Sequence, residues 1–243
     1  MMGELFMSGM KEQKPGTEKI NSPEIMIYPL FPSMVSCMDC DDFTSIKDDL
    51  IEWIYDYKKN TDKQLYRSNS GGWHSYDNLN TIKSFERFND YIKYNISILC
   101  DSLVGDDCTP AVDYMWTIIN SGGNENYSHQ HPGSHISGCL WVKSQGEKSG
   151  NIIFENPNNF GQDITLKNMK EDLKQGWHAH PSFWFEPVEG RMVIFPSDLR
   201  HTVERNSTSE DRIVISFNII LRPKEGEPSF YRADGMEKIQ RVL

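Results

Sequence analysis

Residues 211–220 read DRIVISFNII, and a single alternation runs through them. Successive side chains of a strand point to opposite sides, so Ile213, Ile215, Phe217 and Ile219 share one face while Arg212, Val214, Ser216 and Asn218 share the other. The first face is a continuous apolar stripe that must be covered. The second carries a guanidinium, a hydroxyl and an amide, which either meet solvent or line a polar cavity between two sheets. What covers the apolar face decides between them.

Two amphipathic helices are available as the cover. Over 42–60, Phe43, Ile46, Leu50, Ile54 and Tyr57 recur at three- and four-residue steps, with Asp42 placed to cap the first turn. Over about 81–104, Phe85, Phe88, Ile92, Ile96, Leu99 and Leu103 form a second stripe. The intervening LYRSNSGGWHSYDNLN, residues 65–80, is rich in Gly, Ser and Asn and reads as a loop. After residue 110 the pattern changes to short β-branched and aromatic segments: VDYMWTII, HISGCLWVK, GNIIFEN, SFWFEPV, GRMVIFP, HTVE and RIVISFNIIL. Helices followed by an unbroken series of strands exclude the alternation of a parallel α/β fold. The expected class is mainly β within α+β, an antiparallel sandwich or barrel with the N-terminal helices on the outer face of one sheet. That arrangement turns Arg212, Ser216 and Asn218 inward.

The 243 residues suffice for one core burying roughly 70–75% of the unfolded surface. Residues 1–22 are charged and read as a flexible tail, leaving 23–243 as a single domain: helices over about 42–104, strands over about 111–221, and a C-terminal extension over about 222–243. With 35 acidic against 25 basic residues the net charge is −10, and no Lys/Arg run overrides it, which argues against a nucleic-acid partner. No apolar run approaches the ~20 residues of a membrane helix. The N-terminus lacks the apolar block of a secretory signal, so the expected location is cytoplasmic. Five cysteines, an odd number, fit reduced thiols; Cys37 and Cys40 form a CxxC pair without the further ligands of a zinc site.

The chemistry concentrates in YSHQHPGSH, residues 127–135, which holds three of the seven histidines. On a strand, His129 and His131 project from the same face and can present two imidazoles to one ion. His201, in FPSDLRHTV, is the best third ligand, because a later antiparallel strand can lie beside an early one. A second HxH, His178 and His180, has no third ligand near it and reads as an exposed loop or pocket lip. His74 and His135 read as surface or packing residues. Spacing alone does not separate this trio from the HxH sites of zinc lyases and cupins.

In order along the chain, RSNSGGWHS, YSHQHPGSHISGCLWVK, SGNIIFENP, GRMVIFPSDLRHTV and RIVISFNI resemble the stretches of a family of 2-oxoglutarate- and Fe(II)-dependent oxygenases common in phages and bacteria. With the opening YPLFPS, the resemblance spans roughly residues 28–220. It implies a double-stranded β-helix, the cupin-like jelly roll. It implies Fe(II), 2-oxoglutarate and O2 as cofactors, with hydroxylation of a substrate and release of succinate and CO2. It assigns His129 and His201 as metal ligands, with His131 standing where the wider superfamily carries a carboxylate. Arg212 would then grip the distal carboxylate of 2-oxoglutarate as a rigid bidentate fork, with Ser216, Asn218 and Asn120 as further cosubstrate contacts. The stretch SNSGGWHS, residues 68–75, and the aromatic excursion around Trp177 and Trp184 are expected to line the substrate mouth, with Trp73, Trp116, Trp141 and Trp184 as its aromatic candidates. The alternatives are a zinc-dependent cupin-type enzyme and a non-catalytic jelly roll serving as a binding or virion component. The substrate, a small molecule or a peptidyl group, and the oligomeric state, with a homodimer as the candidate assembly, stay open.

Overall fold

A computed structural model describes residues 32–61, 64–157, 168–177 and 180–224. The expected tail, His178 and nearly all of the expected C-terminal extension lie outside these residues. Helix α1 (Thr44–Lys59) and helix α2 (Glu86–Asp101) flank a segment carrying the two-residue strands β2 (Asn69–Ser70) and β3 (Trp73–His74) and two short 3-10 turns. Strand β1 (Ser36–Asp39) precedes them. After α2 come β4 (Cys108–Asn120), β5 (Glu125–His129), β6 (Ile136–Lys143), β7 (Ile152–Glu155), the short helix α3 (Glu171–Trp177), β8 (Ser182–Phe185), β9 (Arg191–Pro196), β10 (His201–Val203) and β11 (Arg212–Pro223).

The strands form two antiparallel sheets, one ordered β1-β9-β6-β11-β4-β3 and the other β2-β5-β10-β7-β8. This is the jelly roll. Strand β11 lies centrally in the larger sheet, paired with β4 on one side and β6 on the other. Its apolar face behaves as the sequence requires: Ile213, Ile215, Phe217 and Ile219 are fully buried in one core cluster with Ile46, Leu50 and Ile54 of α1 and Phe88, Ile92 and Ile96 of α2. Each such side chain contributes about 1.5–3 kcal/mol through burial. The opposite face of the sheet turns toward the second sheet, where Cys139, Trp141, Ile152, Phe154, Val193, Phe195 and Leu199 make a smaller apolar cluster.

Two local expectations are corrected. Asp42 does not cap α1 through its side chain: the N-cap is Phe43, and Asp42 adopts a left-handed φ of 55° with its carbonyl accepting from the Ser45 backbone N–H and hydroxyl. Residues 65–80 are not simply a loop. Gly71 and Gly72, at φ 70° and 57°, turn β2 into β3, and the two strands belong to different sheets, so this tight corner closes one edge of the sandwich. The CxxC cysteines are unpaired, and burial raises the Cys40 thiol to about 12 and also raises Cys37, the reverse of a reactive thiolate. Among the described residues no helix is long and apolar enough to cross a membrane.

Candidate metal and cosubstrate site

Strand β5 ends at His129, which lies directly across from His201 at the start of β10. His131 lies just past the strand, where its backbone N–H donates to the Ser197 carbonyl at 2.8 Å. Strand alternation therefore aims His129, while a tie to the neighbouring turn aims His131. The ring centroids are 4.3 Å apart for His129 and His201, 5.1 Å for His129 and His131, and 5.2 Å for His131 and His201. One nitrogen from each ring lies within 4.8 Å of the other two, a spacing that admits a single ion between them.

The hydrogen bonds behind the rings orient them. His129 Nδ1 sits 2.7 Å from the Tyr127 carbonyl and His201 Nδ1 2.9 Å from the Leu199 carbonyl. A carbonyl only accepts, so each Nδ1 carries the proton and each Nε2 presents its lone pair to the cluster. Burial lowers the basicity of all three, His131 to about 4 and His201 to about 3, with the His129 charge adding to both shifts. Phe195 and Phe154, at 4.8 and 5.9 Å from the His201 ring, supply the apolar wall there. At neutral pH the trio is three neutral ligands, the form a divalent metal takes.

Arg212 begins β11 on the inner face, 1% exposed. Its Nη1 donates to the carbonyls of Ser149, Gly150 (2.9 Å) and Glu204 (3.2 Å), which fixes the plane of the guanidinium. Gly150 is at φ 97°, and a Cβ there would lie 2.6 Å from Arg212 Nη1, so the glycine is what lets the backbone approach. Burial pulls Arg212 down only to about 10, leaving it charged. Its other N–H groups have no protein partner among the described residues. Asn120 pairs with Arg212 in register, and its amide donates to Asn126 Oδ1 at 2.8 Å; Asn126 in turn reaches the Ser68 hydroxyl (3.2 Å), which meets His129 Nε2 at 3.3 Å. A polar chain thus runs from Asn120, the register partner of Arg212, to the His129 imidazole. Ser216 pairs with Trp116 on the same face, and Asn218 accepts from the Ser137 hydroxyl at 2.8 Å.

Of the four tryptophans, one lines this site. Trp116, 6% exposed, packs on the His131 ring at 5.6 Å. Trp73 is corrected: it is buried in the helix-covered cluster beside Tyr57, on the far side of the sheet from the cavity. Trp141 is corrected too, being 1% exposed within the apolar cluster between the sheets rather than at a mouth. Trp184 is 58% exposed and pairs with Ile153, which puts it on the outer face of the smaller sheet, since Phe185 and Phe154 occupy the inner one. His180 lies outside the cluster. His74, read from the sequence as a surface or packing residue, is the latter: 3% exposed on the inner face and stacked on Trp116. Ser68 and His74 belong to the stretch 68–75 expected at the mouth, and Asn126, on the strand paired with it, is the residue the sequence reading did not name; the Gly71-Gly72 turn is the signal that marks this corner.

Residues 114–218 match the family model described as "Putative 2OG-Fe(II) oxygenase". No curated protein matches the chain in sequence. Among solved structures, the fold is similar to that of a Pseudomonas putida prolyl-4-hydroxylase, at 10% identity and a TM-score of 0.54 over 77% of this chain and 92% of that one. It is similar to SnoN, a non-heme alpha-ketoglutarate-dependent epimerase from nogalamycin biosynthesis, at 10% identity and TM-score 0.55 over 83% and 86%. HygX from Streptomyces hygroscopicus, solved with nickel and 2-oxoglutarate bound, aligns at 9% identity and TM-score 0.53 over 79% and 84%. These similarities establish the jelly roll, and the stretch that the 2OG-Fe(II) oxygenase family model matches is the one that holds all three histidines and Arg212.

Proposed function

We propose that this chain is an Fe(II)- and 2-oxoglutarate-dependent dioxygenase that hydroxylates a small-molecule or peptidyl substrate, with release of succinate and CO2. The observation that carries the reading is the placement of a three-imidazole cluster and a buried, half-satisfied guanidinium on one inner face. Trp116, which touches His131, stands opposite Ser216; Arg212 is four residues earlier on β11, about 13 Å along the strand. The cluster and the arginine therefore lie along one inner face, the disposition that a dicarboxylate held at both ends requires.

His129, His131 and His201 would hold the metal through their cluster-facing nitrogens, with Nδ1 of His129 and His201 pinned behind. A bound iron supplies activation of O2 coupled to decarboxylation of 2-oxoglutarate. Arg212 binds the distal carboxylate, two parallel N–H donors against a planar anion, at the end where Nη1 is already anchored. The apolar wall of Phe154, Phe195 and Leu199 keeps water from the rear of the cluster. Because the trio carries no negative charge and the distal carboxylate is paired with Arg212, the carboxylate at the metal end would supply the formal negative charge against the ion. Affinity for metal and affinity for 2-oxoglutarate should therefore be strongly coupled.

The test is anaerobic. Fe(II) and then 2-oxoglutarate are added to metal-free protein, and the weak visible charge-transfer band of a chelated keto acid is recorded in wild type, Arg212→Ala and His131→Ala. A wild-type band that Arg212→Ala loses at matched cosubstrate supports the reading. No band in wild type, with zinc retained in preference to iron, sinks it.

A further inference from the structure

The pair His74 and Trp116 is not used by the metal or by the cosubstrate as placed above, yet both are buried on the inner face. Strand β3 is two residues long and pairs with β4, Trp73 opposite Ile119 and His74 opposite Ile118. Trp73 therefore enters the helix-covered core, and His74 must point into the sandwich. The His74 and Trp116 rings lie parallel, 5.8 Å apart with 8° between their planes, and Trp116 also meets the His131 ring at 5.6 Å.

The hydrogen-bonding state of the two rings is incomplete in a complementary way. His74 Nδ1 is 2.6 Å from the Ser75 carbonyl, so Nδ1 carries the proton and Nε2 is left with a lone pair that has no protein partner among the described residues. Trp116 Nε1–H is a buried donor with no partner among the described residues. An unsatisfied buried donor destabilises the fold, and a bound acceptor would remove that penalty. The wall beside the imidazole cluster thus offers one neutral acceptor and one neutral donor, with no formal charge.

We propose that His74 Nε2 and Trp116 Nε1–H form the subsite that orients the prime substrate, and that they select a neutral group carrying both a donor and an acceptor, of which the primary carboxamide is the simplest. A carboxylate there would face the His74 lone pair, and an ammonium would face the indole N–H dipole. Each is rejected by one half of the pair. The low basicity that burial imposes on His74 keeps the acceptor unprotonated. This inference rests on the oxygenase reading and deepens it.

The experiment uses full-length protein loaded with Zn(II), a diamagnetic stand-in, and 15N-labelled for NMR. Acetamide and acetate, isosteres differing in charge, are titrated as probes before and after 2-oxoglutarate while the indole N–H and Arg side-chain N–H signals are followed. The expected result is a saturable millimolar shift of the Trp116 indole signal with acetamide in the presence of 2-oxoglutarate, at least fivefold weaker with acetate. His74→Phe keeps the ring and should lose the acetamide response, whereas His74→Gln, which restores an acceptor, should recover part of it. Equal or stronger acetate binding overturns the proposal, as does an acetamide response indifferent to His74. A Trp116 shift driven by 2-oxoglutarate alone, blocking acetamide, also overturns it by giving the pair to the cosubstrate. Failure of 2-oxoglutarate to move any Arg N–H signal is a separate outcome and counts against the oxygenase reading itself.

Discussion

The two faces of the six-stranded sheet are built from the same strands and obey opposite rules. On the outer face of β11, four large apolar residues are fully buried under α1 and α2 and need only fit. On the inner face, Arg212, Ser216 and Asn218, with Trp116 and Asn120 from β4, place polar atoms where water is largely excluded, and several find no protein partner. Burying polar groups costs stability unless they are satisfied, whereas burying apolar ones supplies it. The outer face thus holds the sheet together, and the inner face is where the chain tolerates incomplete bonding. A division of that kind is expected where a ligand completes the bonding.

The sharpest way to break this division is Arg212→Ala. The three carbonyls that Nη1 now joins would be left without their donor, and each buried unsatisfied group costs about 1–3 kcal/mol. The variant should bind 2-oxoglutarate at least 100-fold more weakly by titration calorimetry and unfold several degrees lower in a thermal melt. An unchanged cosubstrate affinity would assign the arginine to structure alone. Leu50→Ala probes the other face. It leaves a cavity under the sheet and should lower unfolding free energy by about 2–5 kcal/mol in a urea titration. Cosubstrate affinity per folded molecule should stay within twofold, and a larger change would mean that the faces are coupled through the strand.

The tryptophans sharpen the comparison. Trp73→Ala should cost about 3–5 kcal/mol, because the indole fills the helix-covered core, while Trp184→Ala should change stability by less than about 0.5 kcal/mol. Reading these residues from sequence shows where the sequence was legible. The alternation in DRIVISFNII and the helical stripes placed the inner face correctly, since burial follows a period that a single strand or helix displays by itself. The seven strand segments after residue 110 fall where strands are found, for the same reason. The sides of the sheet that Trp73 and His74 take were not legible, because their side chains are directed by pairing with β4, a partner more than forty residues away. A two-residue strand has no period to read. His131 was grouped with His129 by strand spacing, although β5 stops at His129 and a long-range hydrogen bond to Ser197 does the aiming.

The smallest effect tests the inner face through its protons. In the metal-free protein, burial lowers His131 to about 4 and His201 to about 3, whereas in the unfolded chain both titrate near 6.5. As pH falls below about 6.5, the unfolded state gains protons that the native state refuses, so stability declines on the acid side until the native pKa values are reached. Each such histidine contributes a slope of about 1.4 kcal/mol per pH unit within that window and none above it. Denaturant midpoints measured from pH 7.5 to 4.5 should show this, with carboxylates such as Asp39 and Asp211, held low by Arg191 and by hydrogen bonds from Ser121 and Tyr55, adding a loss of the same sign only at the acid end. His131→Leu should remove one histidine's share of the slope between pH 6.5 and 5 and leave the outer face untouched. If the slope is undiminished in that variant, the acid sensitivity belongs elsewhere in the fold, and the imidazole cluster is less buried in solution than its surroundings require.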